Sequence, residues 1–218
     1  MTLTLIGTSH IAKESEQRIK EYILSEKPDI VAVELDPSRL HSIFQPPRKI
    51  RITEIPKIGF MGWAFAVIGS WLQRKFGESV GMIPGADMRI AIITAKQIGA
   101  KIALVDRPIQ LTLRRLSTEM TLWTKLKFFF YLFGGAFRSE KLEFNLEKVP
   151  EEKIIHKLTS ELQHQFPALY KVLVTERDEF IAHQLKLLKM QNLESNIVAV
   201  LGAGHLSGVK ALLSHRKS

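Results

Sequence analysis

The chain has 218 residues, of which 45% are hydrophobic, a formal net charge of +9 and no cysteine. This length and hydrophobic content suffice to bury a substantial core, in one large domain or two small ones. Without cysteine, disulfides, zinc–thiolate sites, iron–sulfur clusters and cysteine nucleophiles are excluded, so His, Asp and Glu are the strong metal ligands that remain. The basic residues are spread along the chain and belong to no recognisable nucleic-acid module, so we expect no nucleic-acid partner, while contact with an anionic membrane surface stays open.

The first predicted elements form a strand–helix–strand unit. An apolar run at residues 2–6 ends in Gly7, and residues 13–25 carry apolar side chains at helical spacing among charged ones. Residues 30–35 form a β-branched run typical of a strand buried on both faces. The opening residues resemble a strand and not a signal peptide, so we expect a cytoplasmic protein.

The later elements repeat this alternation of helix and strand. Residues 88–98 are predicted to be a helix closed by Gly99, residues 101–105 a third strand, and residues 196–201 a fourth strand running into Gly202. Inserts at roughly 37–85, marked by Pro and Gly, and 111–188, mostly helical, separate these strands. The pattern predicts a single α/β domain spanning 1–218, in which helices flank a mainly parallel or mixed sheet and the inserts cover the carboxyl ends of the strands.

Two segments, 58–72 and 122–137, are unusually apolar. Both fall short of the ~20 residues that a membrane-spanning helix needs, and the second contains Lys125 and Lys127. We interpret them as lid, interface or membrane-surface helices, and a homodimer is one way to bury them.

Polar residues follow each predicted strand near its carboxyl end. His10 follows the first strand, Glu34 lies on the second, Asp106 and Arg107 follow the third, and His205 follows the fourth. Ligands of open, mainly parallel sheets bind at this edge, so we expect these side chains to surround one site.

Two Gly-x-x-His motifs, at residues 7–10 and 202–205, carry the sharpest signal. In each, a glycine that permits a tight strand-to-loop turn precedes an imidazole by three residues. If the two strands are adjacent and parallel, both loops meet at the same edge of the sheet. The alternative is that His10 and His205 cap helices or satisfy backbone groups.

A carboxylate at the position of Glu34, at the end of a buried strand, requires a compensating charge or hydrogen-bond donors. Arg39 could form a purely structural ion pair with it. The other possibility is a divalent metal ion shared by His10, Glu34 and His205, for which manganese, cobalt, iron and zinc all suit the ligand types.

Further candidates lie at the third strand end and in the second insert. Arg107 and Arg115 are able to bind a carboxylate or oxyanion, although a solvated loop and helix start explain them equally well. The charged run at 176–178, which includes Asp178, has i, i+4 pairing as its simpler explanation. Asp87 is expected to be a helix N-cap first and a site residue second.

The motifs in this order resemble those of the TraB/PrgY proteins, which are grouped with the TIKI proteases and GumN proteins. The matching segments are Gly-Thr-Ser-His at 7–10, Val-Glu-Leu-Asp at 33–36 with Arg39, Gly-Ala-Asp-Met at 85–88, Asp-Arg-Pro at 106–108, Glu-Arg-Asp at 176–178 and Gly-Ala-Gly-His-Leu-Ser-Gly at 202–208. One departure is Asp87, where this family pattern has Glu. Another is that many TraB-like proteins continue into a hydrophobic membrane region, so we expect this chain to be either a soluble form or part of a longer, membrane-associated protein.

The resemblance implies a metal-dependent hydrolase that acts on peptides, with manganese or cobalt favoured as the metal. PrgY members are described as limiting peptide pheromone activity. It implies that His10, Glu34 and His205 are metal ligands or catalytic groups, and we add Arg39, Asp106, Arg107, Arg115 and Asp178 as candidate catalytic residues. The alternative is a protein that sequesters a peptide signal in the same cleft without turnover, which needs no metal ion.

Overall fold

A computed structural model of the protein describes residues 2–8, 13–45, 85–127 and 159–214. Their four strands are β1 (Leu3–Thr8), β2 (Ile30–Val33), β3 (Lys101–Leu104) and β4 (Ile197–Gly202). They form one sheet in the order β1-β4-β2-β3, and every pair of neighbours is parallel. The predicted α/β fold with a mainly parallel sheet is confirmed.

Seven helices accompany the sheet in the part of the chain that the structure describes, besides helical stretches at 122–127 and 159–165 that border undescribed residues. They are α1 (Lys13–Glu26), α2 (Pro37–Ser42), α3 (Ala86–Gln97), α4 (Ile109–Glu119), α5 (Pro167–Tyr170), α6 (Glu176–Gln191) and α7 (Ala203–Ser214). A π-helical turn, Lys171–Thr175, joins α5 directly to α6.

Helices cover both faces of the sheet. On one face α1 and α3 pack against alternate residues of β2 and β4, and the buried side chains there include Ile19, Ile23, Ile92, Val31, Val33, Val198 and Val200. On the other face α6 and α7 pack against the intervening residues, and this core includes Ile181, Leu185, Val209, Ala32, Ala199 and Leu201. The continuous apolar sequence of β2 and β4 follows from this burial on two sides.

A third apolar cluster joins the two described parts of the second insert, 111–127 and 159–188. Leu116 of α4 and Met120, which directly follows that helix, pack against Phe166, Leu169 and Val172, and all five are buried. This cluster positions the start of α6 beside the loop that follows β3, where several candidate site residues lie.

The observed ends of the elements differ from the predicted ends for local reasons. The second strand stops at Val33 and not at residue 35, because the Leu35 N–H donates to the Val33 carbonyl oxygen at 2.8 Å and turns the chain. Gly99, with φ 74°, closes α3 as predicted. Asp87 was expected at the N-cap of this helix, but Gly85, with φ 80°, holds that position, and Asp87 is buried in the first turn.

The two apolar segments fall largely outside the described residues. Segment 58–72 lies outside them entirely, and of segment 122–137 only 122–127 is described, where Leu122 and Trp123 are 75% and 77% exposed. Within the described ranges no helix combines the length and apolarity needed to cross a bilayer.

Candidate functional site

The two strands that lead into the Gly-x-x-His motifs lie side by side. Strands β1 and β4 are paired so that Gly7 lies opposite Leu201 and Thr8 opposite Gly202. The prediction that the strands are adjacent and parallel is confirmed, while His10 itself lies outside the described residues.

Gly7 and Gly202 do not form the tight strand-to-loop turns that were predicted from the sequence. Helix α7 begins at Ala203, so His205 lies in the first turn of a helix and not in a loop. Among the described glycines, a positive φ occurs at Gly85 and Gly99, and not at Gly7 or Gly202. Gly7 instead leaves room for the Leu206 side chain of α7, because a Cβ at this position would lie 2.6 Å from Cδ2 of Leu206.

His205 is held by a buried carboxylate from the neighbouring helix. Its Nδ1 lies 2.6 Å from Oδ1 of Asp178 on α6, and both residues are buried. Burial raises the pKa of Asp178, and the hydrogen bond with His205 offsets part of that rise. The other ring nitrogen, Nε2, lies 3.5 Å from Oε1 of Glu34. The ring is therefore oriented by one carboxylate and directed toward another.

Glu34 is bound through both of its carboxylate oxygens. Oε1 accepts a hydrogen bond from Nη2 of Arg177 at 2.5 Å, and Oε2 accepts one from the N–H of Gly202 at 2.7 Å. The cation beside Glu34 is thus Arg177, so the hypothesis of a structural pair with Arg39 is wrong. The N–H of Gly202 also ties Glu34 directly to the second Gly-x-x-His motif.

A chain of alternating charges continues from Arg177 across the sheet edge. Nη2 of Arg177 also donates to Oδ2 of Asp106 at 2.6 Å, and Arg39 bonds the same oxygen. Burial by itself raises the pKa of Asp106, but Arg177 and Arg39 hold that pKa below its ordinary value of 3.8. Arg39 further donates through Nε to Oδ2 of Asp36 at 2.7 Å, and Asp36 caps α2 by accepting the N–H of Ser38.

Arg107 and Arg115 converge on Glu176, the first residue of α6. Arg107 donates from Nη1 to Glu176 at 2.8 Å, from Nε to Thr112 at 3.0 Å and from Nη2 to the carbonyl of Val172 at 2.6 Å. Val172 belongs to the π-helical turn, so Arg107 fixes the geometry with which α6 begins. Arg115 donates to Oε1 of Glu176 at 2.6 Å, and this bond lowers the pKa of Glu176.

Three successive residues at the start of α6 therefore have partners in different parts of the fold. Glu176 contacts arginines from the region after β3, Arg177 contacts Glu34 and Asp106, and Asp178 contacts His205. The i, i+4 explanation of this charged run is wrong, because the partners are distant in sequence.

Arg177 is a site residue that was not predicted from the sequence. The signal was nevertheless present, because two carboxylates predicted at buried strand ends, Glu34 and Asp106, both require a cation. An arginine between the two acidic residues of the 176–178 run matches that requirement.

The predicted metal ligands are described only in part. Among the described residues no three His, Asp or Glu side chains converge on one position suited to a metal ion, and His10 is not among those residues. Of the predicted set, the structure therefore brings together Glu34 and His205.

A cleft of about 160 Å³ opens next to the start of α7. It is lined by Thr159, Ser160, Gln163, Tyr170, Ala203, Gly204 and Ser207. Hydroxyl and amide groups dominate this lining, and Ala203 and Gly204 are the residues that separate Gly202 from His205.

The chain is similar to proteins of one family over most of its length. The sequence profile of the TraB/PrgY/gumN family matches residues 64–217. An uncharacterised protein of Methanocaldococcus jannaschii is 37% identical over 94% of this chain and 51% of its own length. The TraB domain-containing proteins of Mus musculus and Homo sapiens are each 24% identical over 94% of this chain and 61% of theirs. The chain thus spans between half and two thirds of the length of these relatives.

Proposed function

This chain belongs to the TraB/PrgY/gumN family, and from that premise we propose that it is a metal-dependent hydrolase acting on peptides. One observation carries the proposal: Nε2 of His205, oriented by Asp178, faces Oε1 of Glu34 at 3.5 Å. This pair lies at the sheet edge where both Gly-x-x-His motifs begin.

The spacing of these two donor atoms suits a shared metal ion. In tetrahedral zinc sites, bonds of 2.0–2.2 Å place two ligand atoms about 3.4 Å apart, and Nε2 and Oε1 are separated by 3.5 Å. Asp178 forms a hydrogen bond with the other ring nitrogen, Nδ1. Metal-bound histidines commonly have such a carboxylate partner on the nitrogen that does not bind the metal. We assign the third ligand to His10, which comes two residues after Thr8, the strand residue paired with Gly202. Manganese and cobalt are the first ions to test, before zinc and iron.

A bound ion would polarise the substrate carbonyl and lower the pKa of a water molecule. In hydrolysis the water oxygen bonds to the carbonyl carbon, the C–N bond breaks and the leaving amine gains a proton. Nε2 of His205 and Oε1 of Glu34 would hold the ion, and Asp178 keeps the His205 ring in place through Nδ1. Arg177 and the N–H of Gly202 hold Glu34 in place.

The predicted arginines have different places in this scheme. The Arg39 side chain is 27% exposed, so its guanidinium is able to meet an anionic group or the developing charge on the carbonyl oxygen. The Arg107 side chain is 6% exposed and bound by three acceptors, which favours a supporting role. Arg115 lies further out, and it contributes by neutralising Glu176.

The cleft beside α7 supports a peptide as the substrate. Side chains with uncharged donors and acceptors, such as Ser160, Gln163 and Tyr170, suit the N–H and C=O groups of a peptide main chain. The cleft borders Gly204, next to His205, so a bound main chain would pass close to the proposed catalytic groups.

The first experiment is to measure the metal content of purified protein by elemental analysis, together with His10→Ala and His205→Ala variants. His183→Ala is the matched control, because His183 is an exposed histidine on α6. Cleavage of a peptide library is then measured with manganese or cobalt added. The proposal predicts a bound ion and metal-dependent cleavage in the wild type and the control, and loss of both in the two site variants. Absence of metal uptake and of cleavage with every ion tested would contradict it.

One observation favours a second function, which is sequestration of a peptide without turnover. Both oxygens of Glu34 already have partners, and the positive charge of Arg177 beside Oε1 opposes a metal ion there. A sequestering protein would bind library peptides in the cleft with no metal ion and release them unchanged. Peptide binding that survives metal chelation and leads to no cleavage would favour this function over hydrolysis.

A further inference from the structure

We infer that Gly208 of α7 is a positioning residue: the missing side chain at this point allows Asp178 of α6 to reach the imidazole of His205. A Cβ built on Gly208 would lie 2.0 Å from Oδ2 and 2.8 Å from Cγ of Asp178. Carbon atoms in contact are normally separated by about 3.5–4.0 Å. The carboxylate of Asp178 therefore occupies the space that any other residue at 208 would fill.

The reason for glycine is this contact and not backbone conformation. Among the described glycines, φ is positive at Gly85 and Gly99, whereas Gly208 lies within α7. A second glycine of the same helix provides a comparison, because a Cβ on Gly204 would have no neighbour within 4 Å.

A side chain at 208 can be accommodated in two ways, and both disturb the pair of Asp178 and His205. Rotation about χ1 of Asp178 removes Oδ1 from Nδ1 of His205, which are now 2.6 Å apart. Withdrawal of α7 from α6 carries His205 away, because His205 lies three residues earlier on the moving helix. Withdrawal also opens the core in which Val209 and Leu185 are completely buried, so rotation of Asp178 is the less costly response.

The consequence for catalysis rests on the proposed function. Without a partner on Nδ1, the His205 ring loses the contact that directs Nε2 toward Glu34. Gly208 would then act through Asp178 and His205 without touching the substrate itself.

The test compares Gly208→Ala with the matched control Gly204→Ala, and repeats Gly208→Ala in an Asp178→Ala background. Nitrogen-edited NMR of the histidine rings detects the hydrogen-bonded Nδ1 proton of His205, which is assigned with His205→Gln. We expect the downfield Nδ1 proton signal in the wild type and in Gly204→Ala, and its loss in Gly208→Ala. Persistence of the signal in Gly208→Ala would overturn the inference.

Thermal unfolding provides a second readout through a double-mutant cycle. Gly208→Ala should lower Tm in the wild-type background, and the same substitution should no longer lower it once Asp178→Ala has removed the carboxylate. If Gly208→Ala does not fold alone, folding of the double variant supports the inference equally. An equal fall in Tm in both backgrounds, or failure of both variants to fold, would overturn it.

Neither readout requires a substrate or a metal ion, so this inference can fail independently of the proposed function. Absence of hydrolysis in the wild type counts against the proposed function alone. If hydrolysis is observed, kcat of Gly208→Ala should fall by about 10–100-fold, as expected for loss of the carboxylate that holds a metal-binding histidine, while KM changes little. Full activity of Gly208→Ala would overturn the catalytic role of this glycine.

Discussion

Replacement of Arg177 with Met tests whether this arginine stabilises the buried carboxylates of the site. Arg177 bonds both Glu34 and Asp106, whose side chains are 8% and 0% exposed, so water has little access to replace it. Removing one partner of a buried ion pair costs about 3–5 kcal/mol, because the remaining charge is left unpaired. Met fills much of the same volume, so the loss of stability reports chiefly on charge and hydrogen bonding. We expect Arg177→Met to lower the free energy of unfolding by about 3–5 kcal/mol at pH 7.

Urea unfolding with linear extrapolation measures this loss. The matched control is Arg115→Met, since the Arg115 side chain is 36% exposed and Glu176 keeps its bond to Arg107. The control should lose less stability than Arg177→Met. If the two variants are equally stable, or if Arg177→Met lies within about 1 kcal/mol of the wild type, the argument from buried charge is wrong.

The pH dependence follows from the direction of the Asp106 shift. The folded-state pKa of Asp106 is below 3.8, so its contribution to stability is present above 3.8 and is lost as the pH falls through the folded pKa. Without Arg177, burial is less well offset and that pKa rises, so the carboxyl of the variant is protonated at a higher pH. The difference in stability between wild type and variant should be largest at neutral pH and should narrow on acidification through 3.8. A constant difference between pH 7 and 3 would refute this explanation.

Two other substitutions separate the roles of neighbouring residues. Asp178→Asn retains the shape of the side chain that binds His205 but removes its charge, so under the proposed function kcat should fall by about 10–100-fold; steady-state kinetics measures this, and an unchanged kcat would contradict it. Arg107→Lys replaces a planar group that reaches Thr112, Val172 and Glu176 with a single ammonium group. We expect a loss of roughly 2–3 kcal/mol in urea unfolding, and stability equal to the wild type would show that three directed donors are not needed.

Strand and helix positions were predictable because they depend on local patterns. The β-branched run at 30–35 and the apolar run at 196–201 both form strands, and the burial of β2 and β4 on two faces explains why these runs do not alternate. Gly99 ends α3 as predicted, because only a residue tolerant of positive φ fits there. Asp87 was misplaced since Gly85 is able to begin the same helix without a side-chain cap.

Partners at the site were less predictable, because ion pairs depend on which elements approach one another. From sequence alone, Arg39 is the nearest cation to Glu34, only five residues away. In the structure Arg177 fills this role although it is 143 residues distant. The π-helical turn and the third apolar cluster bring the start of α6 to the sheet edge. The roles of Gly7 and Gly208 also depend on helix packing, which a local pattern does not encode.

The amino-acid sequence by itself determined the α/β class, a mainly parallel or mixed sheet, and the presence of His205, Glu34 and Asp106 at or near strand carboxyl ends, since hydrophobic periodicity and strand-end position are local properties. Only the tertiary structure decided that Asp178 orients His205, that Arg177 neutralises Glu34 and Asp106, and that Gly208 leaves room for the contact. The physical reason is that a buried charge takes as its partner the group that packing brings within bonding distance, whatever the separation in sequence.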